Sequence, residues 1–442
     1  MKKTSFEMNR HFIARFFTAT IIASLLFTSC YKDDPPKNNG NLASSYSSDV
    51  LDKWMTMQIR LMRNATGIPN QAFSRHFAYT GITALESIAP GFPLIKKWNG
   101  LGGLPTPDYN VKYYYPANIN AAMAAINKAL FPNASAADKA VIDSLETALN
   151  EIFATTQSSS LLSKSSAFGK AVANAVFNWS ETDGYKDAGK PYTAPAGAGL
   201  WVPTAPAFAA ASTPFWGNNR TVITGSTSNT LPSAPVAYSI DPSSPFYQMV
   251  KQVYDASLNL TDDQKAMAIF WRDVPGVTSP GHWLSIMQQV IRKTNSRLDK
   301  AAFAYALTGS AINDALISCW KAKYQYNLVR PITYIRDVME HSSWSSYVGT
   351  PPHPEYPSAH SALSGAGAAA LEKLFGNSGP FTDHTYNYSG FAPRTYSSFM
   401  AIPEEAGKSR LYAGIHYQPG IDAGIMLGKK VAANIFPNIG NH

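Results

Sequence analysis

The chain has 442 residues, 45% hydrophobic and 15% charged, which supplies enough apolar material for a large core and excludes a disordered protein. Its formal charge is +8, yet no basic block with interleaved aromatics offers a nucleic-acid surface. With two cysteines, Cys30 and Cys319, it is not a disulfide-built scaffold.

Residues 1–29 read as an export signal: Lys2, Lys3, Arg10 and Arg15 precede an apolar run from Phe16 to Phe27 that is too short to span a bilayer. Losing these four bases and one acid takes the formal charge from +8 to +5. The stretch Leu26-Phe27-Thr28-Ser29-Cys30 resembles a bacterial lipobox. That resemblance implies lipidation of Cys30, a flexible tether over 30–47, and an exported lipoprotein at the outer membrane or cell surface, or facing the periplasm, touching the membrane only through its anchor. The competing reading is an ordinary leader with a chance cysteine.

Apolar residues at helical spacing predict helices over 49–65 and 71–88, then about 119–131, 136–154 and 161–180, with Ser135 and Asp138 as start signals for the fourth. From 182 to 243 the texture turns to Pro, Gly, Asn, Thr and aromatics without periodicity. The aromatic content predicts an ordered excursion that wraps the helices or rims a pocket. Helices resume over 246–258, 262–272, 280–293 and 298 to about 329, and no period-two strand pattern competes. The expected organisation is an N-terminal helical region, 48–243, and a C-terminal helical bundle, 244–442. Cys319 falls on an apolar helical stretch and reads as a small buried hydrophobe.

Chemistry concentrates in three stretches of the second half. Lys323 and Arg330 stand seven apart on the last of these predicted helices, which places both cations on one face, and Pro331 stops that helix. Pro357 opens a further helix, where the Ser358 hydroxyl and the Ala359 amide are donors and His360 can move a proton. Ser409-Arg410 brings a third cation, and His416 can meet the central atom of an anion. Alone, the Lys323–Arg330 pair suits a solvated basic face and the Pro357–His360 stretch is weak evidence; together the three stretches equip a water-poor pocket for a tetrahedral oxyanion.

The ordered set Lys-x6-Arg-Pro, Pro-Ser-x-His, Ser-Arg-x5-His resembles the signature shared by vanadium-dependent haloperoxidases and type 2 phosphatidic acid phosphatases. The resemblance implies an all-α fold of helical bundles, with Lys323, Arg330, Ser358, Ala359 (backbone) and Arg410 holding vanadate, or phosphate in a phosphatase. His416 is then the vanadium ligand or the phosphate nucleophile, and His360 the acid-base residue. Two positions depart from the family pattern. Ala359 stands for its usual glycine, and Gly420 for the aspartate that ends His-x3-Asp and orients the histidine. For that orienting role the chain offers Asp422, two residues on, or a backbone carbonyl.

The resemblance to the soluble haloperoxidase-like branch implies oxidation of bromide or iodide by hydrogen peroxide to hypohalous acid, with a small organic acceptor. Trp320 and His353 sit where that branch places side chains beside the halide path; as plain sequence Trp320 reads first as core, and His353 equally as a loop histidine among prolines. Asp273 can pair with Lys323. The alternatives are an acid phosphatase working through phosphohistidine, and a non-catalytic surface lipoprotein that only binds an oxyanion.

Overall fold

The computed structural model describes residues 41–92, 98–273, 278–377 and 379–439; the leader, Cys30 and the first part of the tether lie outside them. Residues 41–47, the end of the expected tether, pack on the body: Ala43 is buried, Ser47 bridges to Arg297, and the Leu298 amide donates to Tyr46 O at 3.1 Å.

The N-terminal helices are α1 (Asp49–Asn64), α2 (Ala72–Ser87), α3 (Tyr115–Leu130), α4 (Ala136–Ala154) and α5 (Ser159–Ser180). After the long loop follow α6 (Pro245–Leu258), α7 (Asp262–Phe270), α8 (Ser279–Lys293), α9 (Leu298–Tyr326), α10 (Pro331–Asp337), α11 (Ala359–Phe375), α12 (Ala401–Tyr412) and α13 (Gln418–Ile435). The fold is all-α, with one antiparallel strand pair among the described residues, β1 (Phe381–Asp383) with β2 (Arg394–Tyr396). Local chemistry sets the starts. Ser135 accepts from the Asp138 amide at 3.1 Å, and Thr261 with Gln264 forms a reciprocal capping box. Among the described residues no helix is long and apolar enough to cross a membrane.

Helix α9 is the axis of the structure, buried almost all round from Leu298 to Lys323. It packs on α2 from the N-terminal half and on α11 and α13 from the C-terminal half, so one core runs through both. Residues 182–243 are held by specific contacts. The Asp314 carboxylate of α9 takes the amides of Val222 and Ile223 and the Ser226 hydroxyl, and the Trp201 amide donates to Asn327 O at 2.6 Å.

Two sequence expectations change here. The helix expected to reach residue 329 ends at Tyr326, because Asn327 adopts φ +47° and reverses the chain. Lys323 and Arg330 therefore do not share a helix face. From Leu328 the chain runs extended to Arg330, Leu328 bridging to Leu200 of the long loop, and Arg330 is the residue before α10, with Pro331 in its first turn. The helix expected to open at Pro357 begins at Ala359, with Ser358 as its N-cap.

Helices α11 and α13 cross so closely that a Cβ on Gly428 would meet Ala362 O and lie 2.6 Å from Ala366 N, both backbone atoms. Gly428→Val should therefore force the helices apart and cost about 1–3 kcal/mol or more of stability. A thermal or urea unfolding midpoint equal to that of the parent protein would contradict this contact.

Candidate active site

Five chain segments converge beneath one pocket of about 360 Å³: the end of α9, the extended link to α10, loop 351–358 with the start of α11, the end of α12, and the turn into α13. Lys323, Arg330, Ser358 and Glu355 have no exposed surface, and Arg410 and His416 almost none.

Each buried cation is engaged by protein oxygens. The Lys323 ammonium donates to Pro354 O at 2.8 Å and Glu355 O at 2.9 Å. Arg330 donates through Nε to His353 O at 2.8 Å and through one terminal nitrogen to Ile415 O at 2.7 Å; Arg410 donates to Ser409 Oγ at 2.9 Å and to Ala268 O at 2.8 Å. The positive side chains thus hold the backbone of loop 353–355 and of residue 415 in place. Burial lowers the Lys323 pKa to about 7 and those of Arg330 and Arg410 to about 10.

His416 is fixed on both ring nitrogens. Nε2 lies 3.2 Å from an Arg330 terminal nitrogen, which can only donate, so Nε2 carries the lone pair. Nδ1 then carries the hydrogen and donates to Glu355 Oε1 at 2.7 Å, an oxygen that also accepts the Tyr417 amide at 3.0 Å. Burial and the surrounding cations keep the imidazole neutral, holding its pKa well below the ordinary value.

Glu355 is the functional residue that the sequence analysis missed. It replaces Asp422 as the orienting carboxylate, since Asp422 is exposed and accepts from Gln418 at 2.7 Å. The available signal was compositional: Glu355 is the one acidic residue between Glu340 and Glu372. Burial raises its pKa to about 7 against the pull of Lys323 and Arg330, and its Oε2 has no hydrogen-bond partner among the described residues.

Asp273 also differs from expectation. Rather than pairing with Lys323, it accepts the Ser279 amide and hydroxyl at 2.7 and 2.9 Å and stands 3.4 Å from His360 Nε2. His360 lines the pocket, and its Nε2 is buried without a hydrogen-bond partner among the described residues. Burial and Arg410 press its pKa well down. His353 is brought into the site: its Nδ1 is 2.9 Å from an Arg330 terminal nitrogen, and its ring leans on Trp320 at 5.1 Å. Ser358 accepts from the Ser361 hydroxyl at 3.0 Å at the N-terminus of α11, and Ala359 is the first residue of that helix. Buried Cys319, its thiol pushed up to about 11, lies against Pro357 O and presents no nucleophile.

The long loop reaches the pocket too. Ser212 lines it beside Gln71, donates its amide to Pro352 O at 2.8 Å, and accepts at its own carbonyl from Trp320 Nε1 at 3.4 Å and from Tyr324 at 3.0 Å. These bonds seat loop 351–358 and Trp320 against one another.

Comparison with known proteins agrees with this architecture. A family model, the VCPO second helical-bundle domain, matches residues 303–442. The crystal structure of the first bacterial vanadium-dependent iodoperoxidase superposes with TM-score 0.79 at 32% identity, over 89% of this chain and 97% of that one. A bacterial vanadium-dependent chloroperoxidase in its holo form superposes with TM-score 0.61 at 17% identity, over 85% and 92% of the two chains, and shares the fold. No curated protein sequence matches significantly. The chain belongs to the vanadium haloperoxidase superfamily.

As pH rises through 7, Lys323 loses its proton and Glu355 gains its charge; both changes reduce the positive potential in the pocket. Affinity for sulfate, a tetrahedral anion that does not titrate in this range, should fall about tenfold or more between pH 6 and pH 9, and Lys323→Met should flatten that slope. Calorimetric titration reads the effect; an affinity that rises with pH would show that neither group governs the pocket.

Proposed function

We propose that the chain is a vanadate-dependent haloperoxidase that oxidises bromide or iodide with hydrogen peroxide to hypohalous acid for transfer to a small organic acceptor. The observation that carries this reading is His416: a neutral imidazole whose Nε2 lone pair is held against an arginine in a buried cationic pocket. The 32% identity to a bacterial iodoperoxidase along nearly its whole length supports it.

The residues fit an orthovanadate group. His416 Nε2 would hold the metal, Lys323, Arg330 and Arg410 would balance the oxyanion charge, and the Ser358 hydroxyl and the first amides of α11, from Ala359 on, would donate to its oxygens. Buried His360 Nε2, which makes no hydrogen bond among the described residues and has only the Asp273 carboxylate 3.4 Å away, adds a further polar atom facing the same pocket. Bound vanadate supplies activation of hydrogen peroxide toward halide without changing its own oxidation state.

His360 holds and returns a proton at Nε2, 3.4 Å from Asp273, which is placed to favour its charged form when a proton arrives. Trp320 and His353 wall the approach, and their buried faces exclude water from the cations behind them. At the other end of the chain, Cys30 anchors the mature protein through lipid; incorporation of labelled fatty acid should be lost in Cys30→Ser and kept in Cys319→Ser.

After orthovanadate loading, the protein should halogenate a phenolic dye with peroxide and bromide or iodide, and His360→Ala should lower kcat by about 100-fold while still binding vanadate. Hydrolysis of a phosphomonoester without vanadate-dependent halogenation would establish the phosphohistidine chemistry instead. Full turnover by His360→Ala would remove its acid-base role.

A further inference from the structure

We infer that Glu355 is the positioning residue for His416, and that position 420 is glycine because one carboxylate site beside His416 Nδ1 can be filled from either backbone position but not from both. The inference rests on the proposed role of His416 as the vanadate-holding residue; its geometry does not.

Glu355 Oε1 stands 2.7 Å from His416 Nδ1 and 3.0 Å from the Tyr417 amide, so a single oxygen fixes both the ring and the backbone that follows it. On the other side, Arg330 can only donate to Nε2. The two contacts select one tautomer, Nδ1–H with the Nε2 lone pair facing the cations. Without a carboxylate the ring could rotate, or move its hydrogen to Nε2, and either change would withdraw the lone pair from the pocket.

Gly420 shows where that carboxylate could otherwise originate. A Cβ built on Gly420 would lie 2.5 Å from Glu355 Oε1 and 2.9 Å from Oε2, inside the volume the carboxylate occupies. The Cα–Cβ direction of residue 420 therefore points at the acceptor of the His416 Nδ1 hydrogen. An aspartate there would deliver its own carboxylate to the same place once Glu355 is shortened. With Glu355 present, any side chain at 420 collides with it, and an acidic one adds like-charge repulsion.

Both backbones are anchored independently of these side chains. The Glu355 amide donates to Leu328 O at 3.0 Å, and the Ser358 amide donates to Gly420 O at 2.9 Å. The exchange can therefore be made without dismantling the loop. Glu355 supplies from the loop before α11 what the first turn of α13 does not.

The test is a double-mutant cycle on the full chain, read as the dissociation constant for orthovanadate and as the His416 tautomer from two-bond ¹H–¹⁵N correlation spectra of histidine-labelled protein. Glu355→Ala should weaken vanadate binding about 10–100-fold and lose the pure Nδ1–H tautomer. Gly420→Asp alone should also weaken it, and the double variant Glu355→Ala/Gly420→Asp should bind more tightly than either single variant and regain the tautomer. Glu355→Gln, whose amide oxygen still accepts the Nδ1 hydrogen, should fall between parent and Glu355→Ala, and it decides the question if the double variant does not fold. Parent-like affinity and tautomer in folded Glu355→Ala, or a folded double variant no better than the weaker single one, would overturn the inference. A parent protein that binds no vanadate but shows the Nδ1–H tautomer lost in Glu355→Ala would refute the cofactor assignment and leave the positioning role intact.

Discussion

Three cationic side chains held out of water are the constraint on which this structure depends. Burying an ion costs several kcal/mol even after relaxation, and Lys323, Arg330 and Arg410 all lie in the interior. Backbone carbonyls offset much of that cost: Pro354 and Glu355 on Lys323, His353 and Ile415 on Arg330, Ala268 on Arg410. The same bonds define the shape of loop 353–358 and of the turn at 415, so the charge of the site and the fold around it have one cause. A tetrahedral anion entering beside them meets cations already fixed in place by those bonds, so little reorganisation of charge is needed.

A second consequence concerns the histidines. Burial, and after it the cations packed around His353, His360 and His416, disfavours a further positive charge, so all three stay neutral. For His416 neutrality is an asset, since only an unprotonated nitrogen can bind a metal or attack phosphorus. An arriving anion would reverse that pressure on His360 and bring its pKa back toward a value useful for proton transfer. One electrostatic field therefore asks two histidines for different chemistry.

The three motifs were legible because their residue types are demanded by charge and geometry, and the helices because α9 and its neighbours carry sustained apolar periodicity. What escaped sequence reasoning depended on contacts distant along the chain. Arg330 looked helical because periodicity continues past Tyr326; Asn327 in a left-handed conformation and the pairing of Leu328 with Leu200 stop it. Glu355 lies 61 residues from the ring it orients, beyond the reach of any local motif. Asp422, offered beside a backbone carbonyl because it is close in sequence to His416, is exposed and turned to Gln418 on α13. Charge allows Asp273 to pair with Lys323, whereas the start of α8 claims it through Ser279.

The account turns on whether this pocket retains vanadate at His416. The most direct measurement is the vanadium content of the protein after loading with orthovanadate and desalting, beside a His416→Ala variant. One vanadium per chain, lost in the variant, is the predicted result. Loading no higher than that of the variant, from a protein that still binds phosphate, would contradict it.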